Sequence, residues 1–275
     1  MDYSAAAFVA LAHLPPVLSL NRGGASPFVL VCDHASNRIP HEYGTLGLSP
    51  VQRLMHVAWD PGALAVARLL SGMLDAPLIH STVSRLVIDC NRAEGAPDLV
   101  PVISERTEIA ANRGISDAAR RERIERFHAP FHDAIDALIN SRAEDGRETI
   151  LVTVHSFTPI YKDVHRPWPI GLIHGVDPSF TLALRDALLA DEPELNVGWN
   201  EPYAARSGVT FTLEHHGDRR GIMASMIEIR HDEILTPDGA YRWAHTLAGA
   251  LNQARLHRTA MDRPIPLSRA GDTYG

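Results

Sequence analysis

Phe28-Val29-Leu30-Val31-Cys32-Asp33-His34-Ala35-Ser36-Asn37 decides how this chain is read. Four apolar residues, Phe28 to Val31, run through Cys32 into an acid, a histidine and a small-polar turn. A buried strand that delivers an imidazole to its own C-terminal end is how open α/β sheets assemble sites, because ligands collect in the crevice beyond the strand ends. The pattern recurs at Ile150-Leu151-Val152-Thr153-Val154, followed by His155-Ser156. Two histidines, each at the end of a β-type run, point to a metal site, since imidazole suits several divalent transition metals.

Outward from these two strands, β-type and helical stretches alternate. Asp60-Pro61 predicts a helix start, with Asp at the N-cap and Pro at the first helical position, and Leu64, Ala67, Leu69, Leu70 and Leu74 form its inward face. Pro77 to His80 and Arg85 to Cys90 are predicted as the next strands, and Asn91 to Ile115 as a polar, irregular stretch. Ser116-Asp117 caps a helix whose Ile124, Phe127, Phe131, Ile135 and Leu138 recur at three- and four-residue spacing. Thr149 to Val154, Trp168 to Ile173, Leu195 to Trp199, Val209 to Leu213 and Met223 to Ile229 read as strands, and Ser179 to Ala190 as a helix. Thr236-Pro237-Asp238 caps a last helix, with Trp243, Leu247 and Leu251 inward. This order predicts one three-layer α/β domain over residues 1–275, with a lead-in to about residue 25 and a tail from about residue 260.

Composition narrows the function classes. A chain of 275 residues, 45% apolar and 21% charged, can bury one large core. The net charge of -7, with both signs interspersed, argues against a nucleic-acid partner. No apolar run approaches the length of a membrane span. The mildly apolar Ala5 to Leu18 lacks a basic lead and is interrupted by Pro15-Pro16, so it reads as a lead-in and not a signal peptide. Cys32 and Cys90, both within apolar runs, read as reduced core thiols of a cytoplasmic protein. A small-molecule partner is expected, and a homo-oligomer is compatible with the sequence.

With 15 histidines in the chain, placement matters more than presence. A zinc site for hydrolysis needs about three protein ligands and an open position for water. Besides His34 and His155, the third donor could be Asp60, Asp33 or Asn37. Asp60 has an alternative role as a helix cap, Asp33 alternates away from His34 unless the chain turns there, and Asn37 is neutral. Glu228, in Met226-Ile227-Glu228-Ile229, is costly to bury unpaired. It is either paired, Arg230 being a candidate, or kept for proton transfer, for which burial raises the pKa in the useful direction. Ser84-Arg85-Leu86-Val87-Ile88-Asp89-Cys90-Asn91-Arg92 sets a polar cluster at each end of an apolar run. Asn91 and Arg92 could hold a substrate carboxylate, and Arg85 sits at the opposite end. His215, in Glu214-His215-His216-Gly217, could project into the same cleft. His128 and His132 share a helix face, with Pro130 between them, and read as its polar edge, from which His132 could still line the pocket.

Together, Asp33-His34-Ala35-Ser36, Trp59-Asp60, Ser84-Arg85 through Asn91-Arg92, Val154-His155-Ser156, Thr210 through Gly217 and Ile227-Glu228 resemble the N-formylglutamate amidohydrolase family over about residues 28 to 232. The resemblance implies a phosphorylase/hydrolase-like fold similar to zinc carboxypeptidases and aspartoacylases, with a mixed central sheet between helical layers. It further implies a zinc-dependent amidohydrolase acting on a small N-acyl amino acid, N-formyl-L-glutamate first among them. By this analogy His34 and His155 bind one Zn2+ per chain, Glu228 is the catalytic carboxylate, and Asn91-Arg92 clamps the substrate carboxylate. Arg85 or His215 would then stabilise the oxyanion. The carboxypeptidase-like pattern has a Glu three residues after the first ligand histidine. Asn37 stands there in this chain, and Asp60 is the substitute ligand. Histidine-degrading members show Pro-His-small-Gly at the first turn, where this chain has Asp-His-Ala-Ser-Asn. Competing expectations are a zinc carboxypeptidase or another N-acyl amino acid deacylase of the same fold, and a non-catalytic ligand-binding relative.

Overall fold

Side-chain alternation along strands buried on both faces sets the layers of this molecule. The computed structural model describes residues 14–204 and 208–261. In chain order the strands are β1 (Val17–Leu20), β2 (Phe28–Cys32), β3 (Leu78–Ser81), β4 (Ile103–Ser104), β5 (Thr107–Glu108), β6 (Ile150–Phe157), β7 (Ile160–Tyr161), β8 (Val164–His165), β9 (Ile170–Ile173), β10 (Val197–Trp199) and β11 (Met223–Arg230). The helices are α1 (Ala63–Leu74), α2 (Asp117–Arg123), α3 (Ala129–Glu144), α4 (Ser179–Asp191), α5 (Phe211–His216) and α6 (Pro237–Met261).

Seven strands form one sheet in the order β1-β3-β2-β6-β11-β9-β10. β3, β2, β6 and β11 run parallel, β1 and β9 pair antiparallel with β3 and β11, and β10 lies parallel to β9. The sheet is therefore mixed, as the resemblance implies. Phe28, Leu30, Cys32, Val152, Val154, Ile227 and Ile229 point to one side and pack against α1, α4 and α6, which contribute Leu70, Leu184 and Leu247 among others. Val29, Val31, Leu151 and Met226 point to the other side, against Phe131, Ile135 and Ile139 of α3 and Leu213 of α5. Helices on both faces make this a three-layer α/β sandwich. A further apolar core, with Leu46, Leu48, Leu86, Ile88, Leu99 and Ile109, is built by the connections that follow β2 and β3.

Four sequence expectations are corrected. Arg85 to Cys90 is not a strand; Leu86, Val87 and Ile88 are buried in the loop core, a use of an apolar run that periodicity cannot separate from a strand. Val209 to Leu213 is not a strand either, because Phe211 opens the short helix α5. The lead-in contributes β1, an edge strand on β3. The helix expected from Asp60 begins at Ala63, after Gly62, whose φ of 84° is a left-handed conformation that glycine alone adopts without strain. A Cβ there would lie 2.6 Å from the Ile234 carbonyl oxygen. The expected tail beyond 261 and most of Ala5 to Leu18 lie outside the described residues. Among the described residues no helix is long and apolar enough to cross a membrane.

Between α2 and α3 the helix widens into a π turn at Ile124–His128, which ends two residues before Pro130. Proline lacks the N–H an α-helix needs there and its ring crowds the carbonyl four residues back, which accounts for the local change of pitch. The turn carries His128 and His132 toward the loop ahead of α3. His128 Nε2 lies 2.8 Å from the Arg92 carbonyl oxygen and His132 Nε2 lies 2.9 Å from that of Cys90. Both rings can donate to these carbonyls, which pins the segment bearing Asn91 and Arg92. His132 Nδ1 is 2.8 Å from His216 Nε2, and His216 Nδ1 is 2.9 Å from Asp136 Oδ1.

Phe131 is fully buried between α3 and the sheet. Phe131→Ala is expected to destabilise the fold by about 3–5 kcal/mol in urea unfolding. Burial pushes the His132 imidazole down to about 3 and His216 down to about 4. Groups whose folded pKa is depressed contribute stability that is fully present above the unfolded value of about 6.5 and is lost as pH falls toward those folded values. The urea midpoint is therefore expected to fall between pH 6.5 and 4, and less steeply in His132→Gln.

Candidate functional site

The parallel strands β2, β6 and β11 end side by side, and their ends carry the polar residues of a cleft of about 600 Å³. Glu228 on β11 stands directly opposite His155 on β6, so both side chains leave the same face of the sheet. Asp33 and His34 follow β2, where the chain turns out of the ladder. The His34 carbonyl accepts a backbone hydrogen bond from Asp60 at 2.9 Å, which brings the start of the α1 turn to the strand end.

Each histidine is held by a buried carboxylate on one ring nitrogen. His34 Nε2 lies 2.7 Å from Asp89 Oδ1, and His155 Nε2 lies 3.1 Å from Asp33 Oδ2. Asp89 accepts from His34 Nε2–H and leaves Nδ1 as the lone-pair nitrogen of that ring. His155 instead makes its hydrogen bond through Nδ1, to Asp60, and has Asp33 near Nε2 without a formed bond. Both Nδ1 atoms face Asp60 Oδ2, at 3.4 Å from His34 and 2.9 Å from His155. His34 Nδ1 is buried and has no hydrogen-bond partner. The donor atoms of His34, Asp60 and His155 lie within 4.8 Å of one another, and all three residues are buried. Two imidazole nitrogens and one carboxylate oxygen beside an open cleft fit the donor set and open position of a zinc hydrolase site. Asp60 does not cap α1 with its side chain: no side-chain cap bond is made, and its other oxygen, Oδ1, binds Arg85 Nη2.

The charge balance follows from this packing. Burial and the Arg85 guanidinium push the His34 imidazole down to about 4, which keeps it neutral and able to donate a lone pair. Burial opposes ionisation of Asp33, yet His155, His34 and Thr212 hold its carboxyl below the usual range. Asp89 is likewise held low by Arg92 and His34 against the cost of burial. Glu228 goes the other way. Burial raises its pKa despite His155 and Arg85, and its Oε2 is buried without a hydrogen-bond partner. Arg230, the sequence candidate for pairing Glu228, binds Asp232 and Glu233 instead.

His34, Asp60, His155, Glu228, Arg85, Asn91 and Arg92 all line the cleft. Asn91 is held at both ends of its amide: its Nδ2 donates to the Val209 carbonyl at 2.6 Å and its Oδ1 accepts from the Thr212 N–H at 2.9 Å. Those bonds join the Arg92 loop to α5. Arg92 binds Asp98 through Nε at 2.7 Å and the Asn91 carbonyl through Nη1 at 3.0 Å. His215 is the exception to the grouping. It lies outside the cleft lining, stacked on Phe211 with its Nδ1 3.2 Å from Arg219 Nη1. With Asp136 and His216 it forms a second potential donor group, where Asp136 already carries Arg220. Asn37 donates to the Arg53 carbonyl, away from the imidazoles. His132 is likewise absent from the lining.

Sequence reasoning gave no role to Asp89, Arg166 or Tyr203. Asp89 carried the same signal as Glu228, an acid inside an apolar run. Arg166 and Tyr203 lie in loops whose composition is ordinary, and only the fold brings them to the cleft.

No curated protein matches the chain by sequence. Among solved structures it is similar to a gene product of Agrobacterium tumefaciens, at 39% identity and a TM-score of 0.87, covering 90% of this chain and 97% of that one. It is also similar in fold to the N-formylglutamate amidohydrolase of Ralstonia eutropha JMP134, at 19% identity and a TM-score of 0.66, covering 90% of this chain and all of that one. The sequence pattern of one family, N-formylglutamate amidohydrolase, matches residues 26–235, a span that contains every residue of the site just described. With most of its length matched, this chain belongs to the N-formylglutamate amidohydrolase family.

Proposed function

We propose that this protein is a zinc-dependent amidohydrolase of small N-acyl amino acids, cleaving N-formyl-L-glutamate to formate and glutamate. The observation that carries the proposal is Glu228, a buried carboxylate with an unpartnered oxygen, placed in register with one of two histidines whose Nδ1 atoms converge on Asp60. A binding module gains nothing from that carboxylate, whereas hydrolysis of an amide needs a group that takes a proton from water and returns it to nitrogen.

His34, Asp60 and His155 would hold one divalent ion. When bound, it supplies the Lewis acidity that acidifies water and polarises a carbonyl. Glu228 takes the proton of the attacking water as the water adds to the acyl carbon. It then delivers that proton to the departing amine, which would otherwise leave as a very poor amide anion. Its raised pKa makes Glu228 a stronger base in the first transfer and lets it hold the proton until the departing amine, the more basic group, takes it. Arg92 keeps Nη2 free of protein partners among the described residues and takes a substrate carboxylate. Arg85, fixed by Asp60, places a second cation beside the reacting carbonyl. Orienting the amide between these groups removes much of the entropic barrier. The free, buried Cys32 and Cys90 suit a reducing cytoplasm.

Glu228→Gln is expected to lower kcat by about 10²–10⁴-fold with zinc content unchanged. His155→Ala is expected to lose the zinc itself, measured by metal analysis after dialysis. Asp89→Asn removes the acceptor that fixes the His34 tautomer and is expected to weaken zinc binding by about 10–100-fold. Because the base must be ionised, kcat/KM is expected to rise with pH through a limb lying above the ordinary carboxylate range. The limb belongs to Glu228 and should vanish in Glu228→Gln; full activity of that variant contradicts the assignment.

A further inference from the structure

We propose that Arg166 anchors a second substrate carboxylate, and that the site thereby selects N-acyl derivatives of dicarboxylic amino acids over neutral ones. The inference rests on the amidohydrolase reading for the identity of the substrate, and on the geometry of the cleft for the anchor itself.

Three arginines line the cleft, and their partners differ. Arg85 is bound to Asp60, and Arg92 is bound to Asp98 with Asp89 also near, at 3.7 Å. Arg166 is 8% exposed, forms no ion pair among the described residues, shares a side-chain hydrogen bond with Tyr203, and keeps a buried Nη1 with no hydrogen-bond partner. Its guanidinium lies against three aromatic rings, 4.5 Å from the centroid of Tyr161, 5.2 Å from Tyr203 and 5.7 Å from Phe157. Rings packed over a guanidinium exclude water from its faces and leave the in-plane N–H groups for a ligand. Glu228 feels this cation across the cleft but makes no ion pair with it, so a carboxylate bound in the cleft would supply the direct partner that a buried guanidinium needs.

The backbone holds this arginine in place before any ligand arrives. Its N–H donates to the Pro159 carbonyl at 2.8 Å, across the base of the β7–β8 hairpin. At the hairpin tip the Lys162 N–H donates to Glu105 Oε1 at 3.0 Å, and Asp163 pairs with Arg106. Glu105 also binds His56 Nε2 at 3.0 Å on the cleft wall. Arg166 therefore sits on a braced element, so little ordering entropy is lost when it engages an anion. With Arg92 holding one carboxylate, an Arg166 left without its counter-charge by a neutral side chain discriminates against that substrate.

The test uses the purified, metal-loaded enzyme with glutarate and butyrate, which differ by one carboxylate, followed by calorimetry. Wild type is expected to bind glutarate at least about tenfold more tightly than butyrate, and Arg166→Met to bring that ratio close to one. Arg166→Lys keeps the charge and loses the fork, so it should give an intermediate ratio in a folded protein. In kinetics, Arg166→Met should raise KM for N-formylglutamate far more than it lowers kcat, and narrow the preference over N-formylglutamine. A purely structural role would depress both substrates alike. Wild type with no preference for glutarate, or folded variants with an unchanged ratio, overturns the proposal. Failure of wild type to hydrolyse N-formylglutamate would instead remove the amidohydrolase reading, and the glutarate ratio would still decide the role of Arg166.

Discussion

Two buried contacts organise this site: Asp89 on His34 Nε2 and Asp33 on His155 Nε2. The first is a hydrogen bond that fixes the His34 proton on Nε2, the second a close charge contact, and both rings turn Nδ1 toward Asp60. Without them an imidazole at a strand end would be free to flip; Asp60 adds a further restraint through its 2.9 Å hydrogen bond with His155 Nδ1. The carboxylates are themselves anchored. Asp33 Oδ1 accepts from Thr212 Oγ1 on α5, and Asp89 Oδ1 accepts the Asn91 N–H at 2.9 Å. Ligand orientation is thus transmitted from helix and loop packing to the strand ends.

Four buried acids, Asp33, Asp60, Asp89 and Glu228, surround two histidines in a space the sheet would otherwise fill with apolar side chains. Burying so many carboxylates is tolerable only with counter-charge and hydrogen bonds in place. Arg85 supplies this to Asp60, and Arg92 helps hold Asp89 ionised. Glu228 receives no such partner at its Oε2. The same surroundings therefore push two kinds of carboxylate apart. Those that orient ligands are kept charged, and the one facing the cleft is kept within reach of a proton. Opposite Glu228 on β9 stands Gly171, where a Cβ would fall 1.8 Å from the Glu201 carbonyl oxygen, so the neighbouring loop closes directly onto the strand.

Much of this was legible in the sequence where local pattern and tertiary use coincide. The apolar runs ending in His34 and His155 are strands because continuous burial on both faces leaves them no alternative, and Glu228 stood out as an acid within such a run. The Arg85 to Cys90 segment misled because a buried loop and a buried strand share one signature over so few residues. The third donor stayed open among Asp60, Asp33 and Asn37, since the choice depends on where the chain turns after β2. That turn brings Asp33 to His155, far along the chain, and Asp60 to both imidazoles. His215 appeared well placed because its neighbours read as a strand; as part of α5 it points to a different cluster. Arg166 was hidden for a related reason, since its surroundings come from three separate segments, at Phe157, Tyr161 and Tyr203.

The central claim is that both histidines would present Nδ1, the nitrogen each turns toward Asp60, to a shared metal. Long-range ¹H–¹⁵N correlation spectra of histidine-labelled enzyme, recorded before and after adding zinc, test it directly. The account predicts that zinc shifts the Nδ1 resonances of His34 and His155, identified by their alanine variants, while Nε2 stays protonated in both. Coordination through Nε2, or imidazole resonances that do not respond to zinc, would contradict it.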